Sequence, residues 1–219
     1  LRGPAEAQPI GATEVSEIDP TVDRSFVATT RPEQIEVFDE PDGQVTTLMD
    51  NPTPTLGPLV FLTIENTSDW HEVLLPTSPD GSTGWVRNSD VDLAVHNFRI
   101  RIDLENFRCQ VFERGAPIFD AVAGIAADNT PIPGGSYYLT ELLAPETPDS
   151  IYGSFAYGLS GFAEQFETFA GQPGQLGIHG SSDPTLLGTT GSPGCISLHD
   201  EDVARLITYL PLGVPVEVV

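Results

Sequence analysis

Glycine and proline cut this chain into short apolar pieces. Of 219 residues, 21 are Gly and 20 are Pro. Punctuation that dense favours many turns and short strands over long helices. The fold class that follows is mainly β. Apolar residues make up 39% of the chain, with 11 Phe and 2 Trp, which is enough for a real core.

The apolar pattern divides the chain. Residues 1–32 are rich in Pro, Ala and acids with little periodicity, and are expected to be a flexible linker. Residues 33–95 hold five or so short strands: Gln34–Phe38, Leu59–Ile64, Glu72–Leu75 and Gly84–Arg87 read most clearly, with turns at Glu40-Pro41-Asp42-Gly43 and Pro79-Asp80-Gly81. Such a unit suggests a small antiparallel barrel.

Residues 96–219 open with a strict alternation. Phe98, Ile100, Ile102 and Leu104 share one face, and Arg99, Arg101 and Asp103 the other. Two more strands follow, Phe107–Phe112 and Pro117–Ala123, then Ser136–Leu139 and, after a looser Gly- and Phe-rich stretch over 150–175, Leu176–His179. Val203, Leu206, Ile207 and Leu210 predict one C-terminal helix, with the acids Asp200, Glu201 and Asp202 suited to its N-terminus. A last strand covers Val214–Val219.

Charge excludes several functions. The formal net charge is −23, and the nine basic residues are all Arg. Nucleic-acid binding needs clustered basic residues, so no nucleic-acid partner is expected. The absence of Lys removes Schiff-base and P-loop lysines. No apolar run reaches the ~18–20 residues of a transmembrane segment. Four scattered histidines, without Cys-x-x-Cys or His-Glu-x-x-His, argue against a metal, and no cofactor is implied.

The chemistry concentrates in two glycine-containing segments, Ile178-His179-Gly180 and Ser192-Pro193-Gly194-Cys195-Ile196-Ser197-Leu198. A thiol needs a base to become a nucleophilic thiolate near neutral pH, and His179 is the candidate base for Cys195. Gly194 lets a backbone N–H face an incoming carbonyl. The other Cys, Cys109, shares a strand face with Phe107 and Val111 and is expected in the core; the two thiols are expected to stay separate. His71 and His96 are expected at the surface, and His199 at the surface or capping the helix. Ser181-Ser182-Asp183 lacks a Gly-x-Ser-x-Gly elbow and is not expected to form a serine triad.

The segment from Ile178 to Leu198 resembles the active-site motif of the L,D-transpeptidase (YkuD-like) catalytic domains. That motif runs His-Gly, a spacer, then Ser/Thr-His-Gly-Cys, an apolar residue and Asn or Arg. The opening strand pair, Thr130-Pro131 with Gly134, Tyr152-Gly153 and Gly213-Val214-Pro215-Val216 are similar as well. Residues 33–95, ending in Gly84-Trp85-Val86-Arg87 and Val91, resemble a bacterial SH3-like domain. Together they imply an SH3-like barrel, a β-rich sandwich domain and one C-terminal helix.

The resemblance implies a peptidoglycan enzyme acting on stem peptides outside the cytoplasm, in the periplasm or cell wall, either free or tethered to a membrane in a longer precursor. Cys195 would form a thioester with the stem peptide and pass it to an amine, giving a 3→3 crosslink. His179 would be the base, the Gly180 carbonyl would orient its ring, and the N–H groups of Gly194 and Cys195 would bind the oxyanion. Ser192, Ser197, Tyr152 and Tyr157 are candidate substrate contacts, and the SH3-like unit a candidate wall-binding module. Pro193 stands where the family has His, and Ser197 where it has Asn or Arg. Two alternatives therefore stay open: L,D-carboxypeptidase activity on the same acyl-enzyme, and a catalytically degenerate cell-wall-binding protein.

Overall fold

Two eight-stranded sheets, one from each half of the chain, dominate the computed structural model. It describes residues 8–9, 23–126, 132–144, 152–162, 168–169, 172–181, 183–191 and 195–219. Thr130, Pro131, Ser192, Pro193 and Gly194 fall outside them.

The first sheet uses β1 (Gln8–Pro9), β2 (Ser25–Thr30), β3 (Gln34–Phe38), β4 (Val45–Asp50), β5 (Val60–Asn66), β6 (Trp70–Leu74), β7 (Thr83–Arg87) and β8 (Val91–His96). Its order is β1-β8-β2-β5-β6-β7-β3-β4. It curls around one core in which Ala28, Ile35, Val37, Phe61, Val73, Val86 and Val91 meet. The expected linker over 1–32 is corrected for its last part, the described residues 23–32, while residues 1–7 and 10–22 lie outside the described ones. Ser25–Thr30 is a central, largely buried strand between β8 and β5, and Gln8–Pro9 pairs with β8. Phe26, Val27 and Ala28 supply apolar surface on both faces, so this strand carries no alternation to read.

The second half contains β9 (Phe98–Asp103), β10 (Arg108–Glu113), β11 (Ala116–Val122), β12 (Gly135–Leu143), β13 (Ala156–Phe162), the short pair β14 (Thr168–Phe169) and β15 (Gln172–Pro173), β16 (Gln175–Ser181), β17 (Ile196–His199), α1 (Asp200–Leu206) and β18 (Pro215–Val218). The large sheet runs β11-β10-β9-β18-β12-β13-β16-β17. Its pairs are antiparallel except β9–β18 and β16–β17. The alternation on β9 buries Phe98, Ile100 and Ile102, and leaves Arg99, Arg101 and Asp103 half-buried.

The two edges of this sheet meet. Just past β11, Gly124 donates to the Ser197 carbonyl at 2.8 Å, and Ser197 donates back to Gly124 at 2.9 Å. The sheet thus comes close to a closed barrel, which removes its free edges. One core fills it, and α1 covers its end with Val203 and Leu206.

The halves are joined by apolar and polar contacts. Tyr138 from β12 sits among Val27, Val60, Leu62 and Leu74, its hydroxyl 3.2 Å from the carbonyls of both Val60 and Leu74. Asp23, with a fully buried side chain, accepts from Arg99 Nε at 2.8 Å and from the Gly115 N–H at 2.7 Å.

Two histidines are also corrected. His71 and His96 are buried rather than at the surface. The His71 ring lies 2.8 Å from Asn66 Oδ1 and 3.1 Å from Asn88 Oδ1, which offsets its lost hydration. His96 is enclosed where the two sheets join and packs near Phe98. Burial pushes its pKa down to about 4.

Candidate active site

The parallel pair β16–β17 places the chemistry. His179 stands opposite Ser197 in register, and Cys195 lies just before β17. Both reactive side chains are buried, Cys195 with 5% and His179 with 3% of their surfaces exposed.

His179 Nδ1 lies 2.8 Å from the Gly180 carbonyl. A carbonyl oxygen can only accept, so Nδ1 carries the hydrogen and Nε2 presents its lone pair. Ser197 Oγ approaches that Nε2 at 3.4 Å, a long hydrogen bond. Tyr152 closes another side of the ring: the two rings meet edge to face, with centroids 5.3 Å apart at 82°. Tyr152 also packs with Cys195, Ala156 and Leu143.

Burial sets the resting protonation. It pushes the Cys195 thiol up to about 12, against a smaller downward pull from the Gly177 backbone hydrogen bond. It also lowers His179, with the Gly180 hydrogen bond acting in the other direction. Desolvation disfavours the charged form of each group. At neutral pH the pair therefore rests as a neutral thiol beside a neutral imidazole. Burial raises the Tyr152 phenol too.

Tyr157 does not join the site. It follows Ala156 on β13, so its side chain projects to the opposite face and into the core. Its hydroxyl donates to the Leu210 carbonyl at 3.1 Å. Cys109 is buried in the same core, and both cysteines are free. His199 is the half-buried residue preceding α1, and its side chain makes no capping hydrogen bond.

Asp200 has a role that the sequence did not suggest. Besides starting α1, its carboxylate accepts from the Ser154 N–H at 2.7 Å and from Ser154 Oγ at 2.6 Å. It lies against Gly180 and Gly153 so closely that a Cβ at either glycine would collide with it; Gly153 has φ +65°. Asp200 thus fixes the turn that carries Tyr152 beneath the strand that carries His179. Acids at a helix start have an ordinary reading, so nothing in the sequence separated Asp200 from Glu201 or Asp202.

Among the described residues no group of three or more His, Cys, Asp or Glu is arranged to hold a metal ion. No helix among them is long and apolar enough to cross a membrane.

The near-closed β sheet thus carries an oriented histidine on β16 and a buried cysteine just before the neighbouring strand β17. Residues 97–218 match the family model described as the L,D-transpeptidase catalytic domain, YkuD, and the chain belongs to this family. It is 26% identical over 121 residues to a Bacillus licheniformis protein bearing the name L,D-transpeptidase YkuD, covering 55% of this chain and 65% of that relative's length. It is also similar to the solved Enterococcus faecium L,D-transpeptidase catalytic domain acylated by ertapenem, at 22% identity and a TM-score of 0.41, over 57% of this chain and 98% of that one. An L,D-transpeptidase from Mycobacterium smegmatis matches at 14% identity and a TM-score of 0.44, over 70% and 79% of the two chains.

Proposed function

We propose that this protein is a cysteine-dependent L,D-transpeptidase acting on peptidoglycan stem peptides outside the cytoplasm. The observation that carries the reading is the His179–Gly180 hydrogen bond in the strand beside Cys195, within the segment matched to the family. It leaves an unprotonated imidazole nitrogen as the base for a thiol that burial keeps protonated.

The steps balance as follows. His179 Nε2 takes the thiol proton as Cys195 Sγ attacks the carbonyl of the third stem residue. The backbone N–H groups of Cys195 and Gly194 receive the oxyanion; losing such a donor typically costs about 2.7–4 kcal/mol of barrier. Collapse breaks the bond to the fourth residue, D-alanine, whose leaving amine takes the proton from His179. A side-chain amine of a neighbouring stem then attacks the thioester. Its proton passes through His179 to the departing Cys195 sulfur, leaving a 3→3 amide and the original thiol. Water in place of the amine would give L,D-carboxypeptidase products from the same thioester.

The test is intact-mass analysis after incubation with a carbapenem, for the wild type and Cys195→Ala. The expected result is a gain of one drug mass in the wild type alone. An unmodified wild type that also leaves tetrapeptide stems intact would replace this reading with a wall-binding protein. Product analysis with and without an acceptor amine separates transfer from hydrolysis.

A further inference from the structure

A pocket of about 320 Å³ is lined by residues from both halves of the chain. Its walls are unlike those of an ordinary packing defect. Apolar lining comes from Leu48, Met49, Pro54 and Val60 of the first half and Phe162 of the second. Glu141, Gln175 and Thr140 add hydrogen-bond acceptors to the lining. Among the described residues, the charged ones that line it are both acidic, Asp50 and Glu141.

Two of these groups are buried and under-used. Glu141 is 6% exposed, accepts a hydrogen bond from Thr55 across the junction, and has no ion-pair partner among the described residues. Gln175 is 5% exposed. Its Nε2 donates to the Leu159 carbonyl at 3.1 Å and to Thr140 Oγ1 at 3.2 Å. The carbonyl can only accept, so the amide orientation is fixed. That leaves Gln175 Oε1 as a buried acceptor with no partner among the described residues.

Gly158 brings the two together: a Cβ there would lie 2.7 Å from Glu141 Oε1 and 2.8 Å from Gln175 Nε2. A buried carboxylate without a cation and a buried amide oxygen without a donor are each unfavourable alone. One ligand group satisfies both, a cationic donor.

We propose that this pocket binds an aliphatic ammonium, of the kind carried by the side chain of a diamino acid. The ammonium hydrogens would meet Glu141 and Gln175 Oε1, and the methylene chain would lie along Leu48, Met49 and Phe162. Glu141 lies two residues before Leu143, on the same face of β12, and Leu143 packs against the cluster of Ala156 and Cys195. Reading the ammonium as that of a diamino acid in the stem peptide rests on the function proposed above, whereas the preference for an aliphatic ammonium rests on the pocket alone. The first half of the chain then has a part in recognition, because it supplies most of the apolar wall.

The experiment is a calorimetric titration of the full chain, at physiological ionic strength, with Nα-acetyl-lysine amide. Nα,Nε-diacetyl-lysine amide, which keeps the chain and loses the charge, is the control. Expected are saturable binding of the first compound, none of the second, and binding weakened roughly tenfold or more in Glu141→Gln. Equal binding of the two compounds, no saturable binding by the wild type, or an unchanged affinity in Glu141→Gln would overturn the proposal. Cys195→Ala should bind as the wild type does. A failure of acylation at Cys195 and a failure of this pocket are therefore read in separate assays.

Discussion

His179 gives its Nδ1 hydrogen to the carbonyl of Gly180, the next residue in the same strand, at 2.8 Å. A residue thus orients its neighbour's ring without any third side chain. The carbonyl belongs to a strand paired on both sides, so it cannot turn away without breaking sheet hydrogen bonds. Proton acceptance at Nε2 is therefore set by the backbone, and what tunes it is burial.

The pH profile of acylation follows from that arrangement. His179 must be neutral to take the Cys195 proton, and burial holds its pKa below the ordinary 6.5. The carbapenem acylation rate should rise as pH increases through that lowered pKa and then stay flat across the neutral and mildly alkaline range. It should not climb near pH 8–9, where a free thiol ionises, because Cys195 is held up at about 12. Stopped-flow acylation from acid to mildly alkaline pH measures this, and a climb centred on the free-thiol pKa would mean that Cys195 ionises without His179. Replacing His179 with Ala should slow acylation by about 10²–10⁴-fold.

Tyr152 should act through its ring more than through its hydroxyl. Its ring meets that of His179 edge to face, and such pairs contribute about 0.5–1.5 kcal/mol. Tyr152→Phe should acylate within roughly threefold of wild type, while Tyr152→Ala should be slower by up to about tenfold. Asp200→Ala should resemble Tyr152→Ala in rate, because Asp200 anchors Ser154 in the same turn. Rates measured alongside thermal unfolding distinguish a displaced ring from a globally loosened fold. A fully active Asp200→Ala would show that the turn holds Tyr152 unaided.

Much of this site was readable in the residues, and the exceptions have physical causes. The alternation from Phe98 to Asp103 shows plainly because one face meets the core and the other is partly wet. β13 was invisible within the looser stretch because Ala156 to Gly161 is buried on both faces and rich in glycine, which leaves no period to find. β4 was missed for the opposite reason, since nearly all of it is exposed on an edge. Cys195, His179 and Gly180 could be found because short glycine-containing segments mark them in sequence. Asp200 and Glu141 could not, because the partners that define them, Ser154 and Thr55, come from distant parts of the chain. Tyr157 looked like Tyr152 in sequence, but β13 turns Tyr157 into the core, while Tyr152 sits in the turn before that strand.

The Asp23–Arg99 pair should be a main tie between the halves. Asp23 is fully buried and has two donors, Arg99 Nε and the Gly115 N–H. Asp23→Ala removes both bonds, and because Arg99 is a quarter exposed and keeps Glu217 at 3.4 Å, the cost should be about 1–3 kcal/mol. Chemical denaturation should show a lower midpoint, and the two halves should unfold less cooperatively. A loss below about 1 kcal/mol would place the pair with ordinary surface ion pairs.

Acid should weaken the fold through His96 before most carboxylates protonate. Its folded pKa of about 4 lies below the unfolded value of 6.5. Between those values the unfolded chain binds a proton that the folded chain refuses, so stability falls as pH drops from about 6.5 to about 4, and this contribution levels off below. The gap corresponds to roughly 3 kcal/mol for this one group. The buried His71 is shifted in the same direction, so His96 accounts for only part of the slope. In His96→Gln the melting temperature should change less steeply over that interval, even if the variant is less stable at neutral pH. Thermal scans at closely spaced pH values measure the two slopes, and identical slopes would mean that the ring of His96 takes up its proton without disturbing the junction.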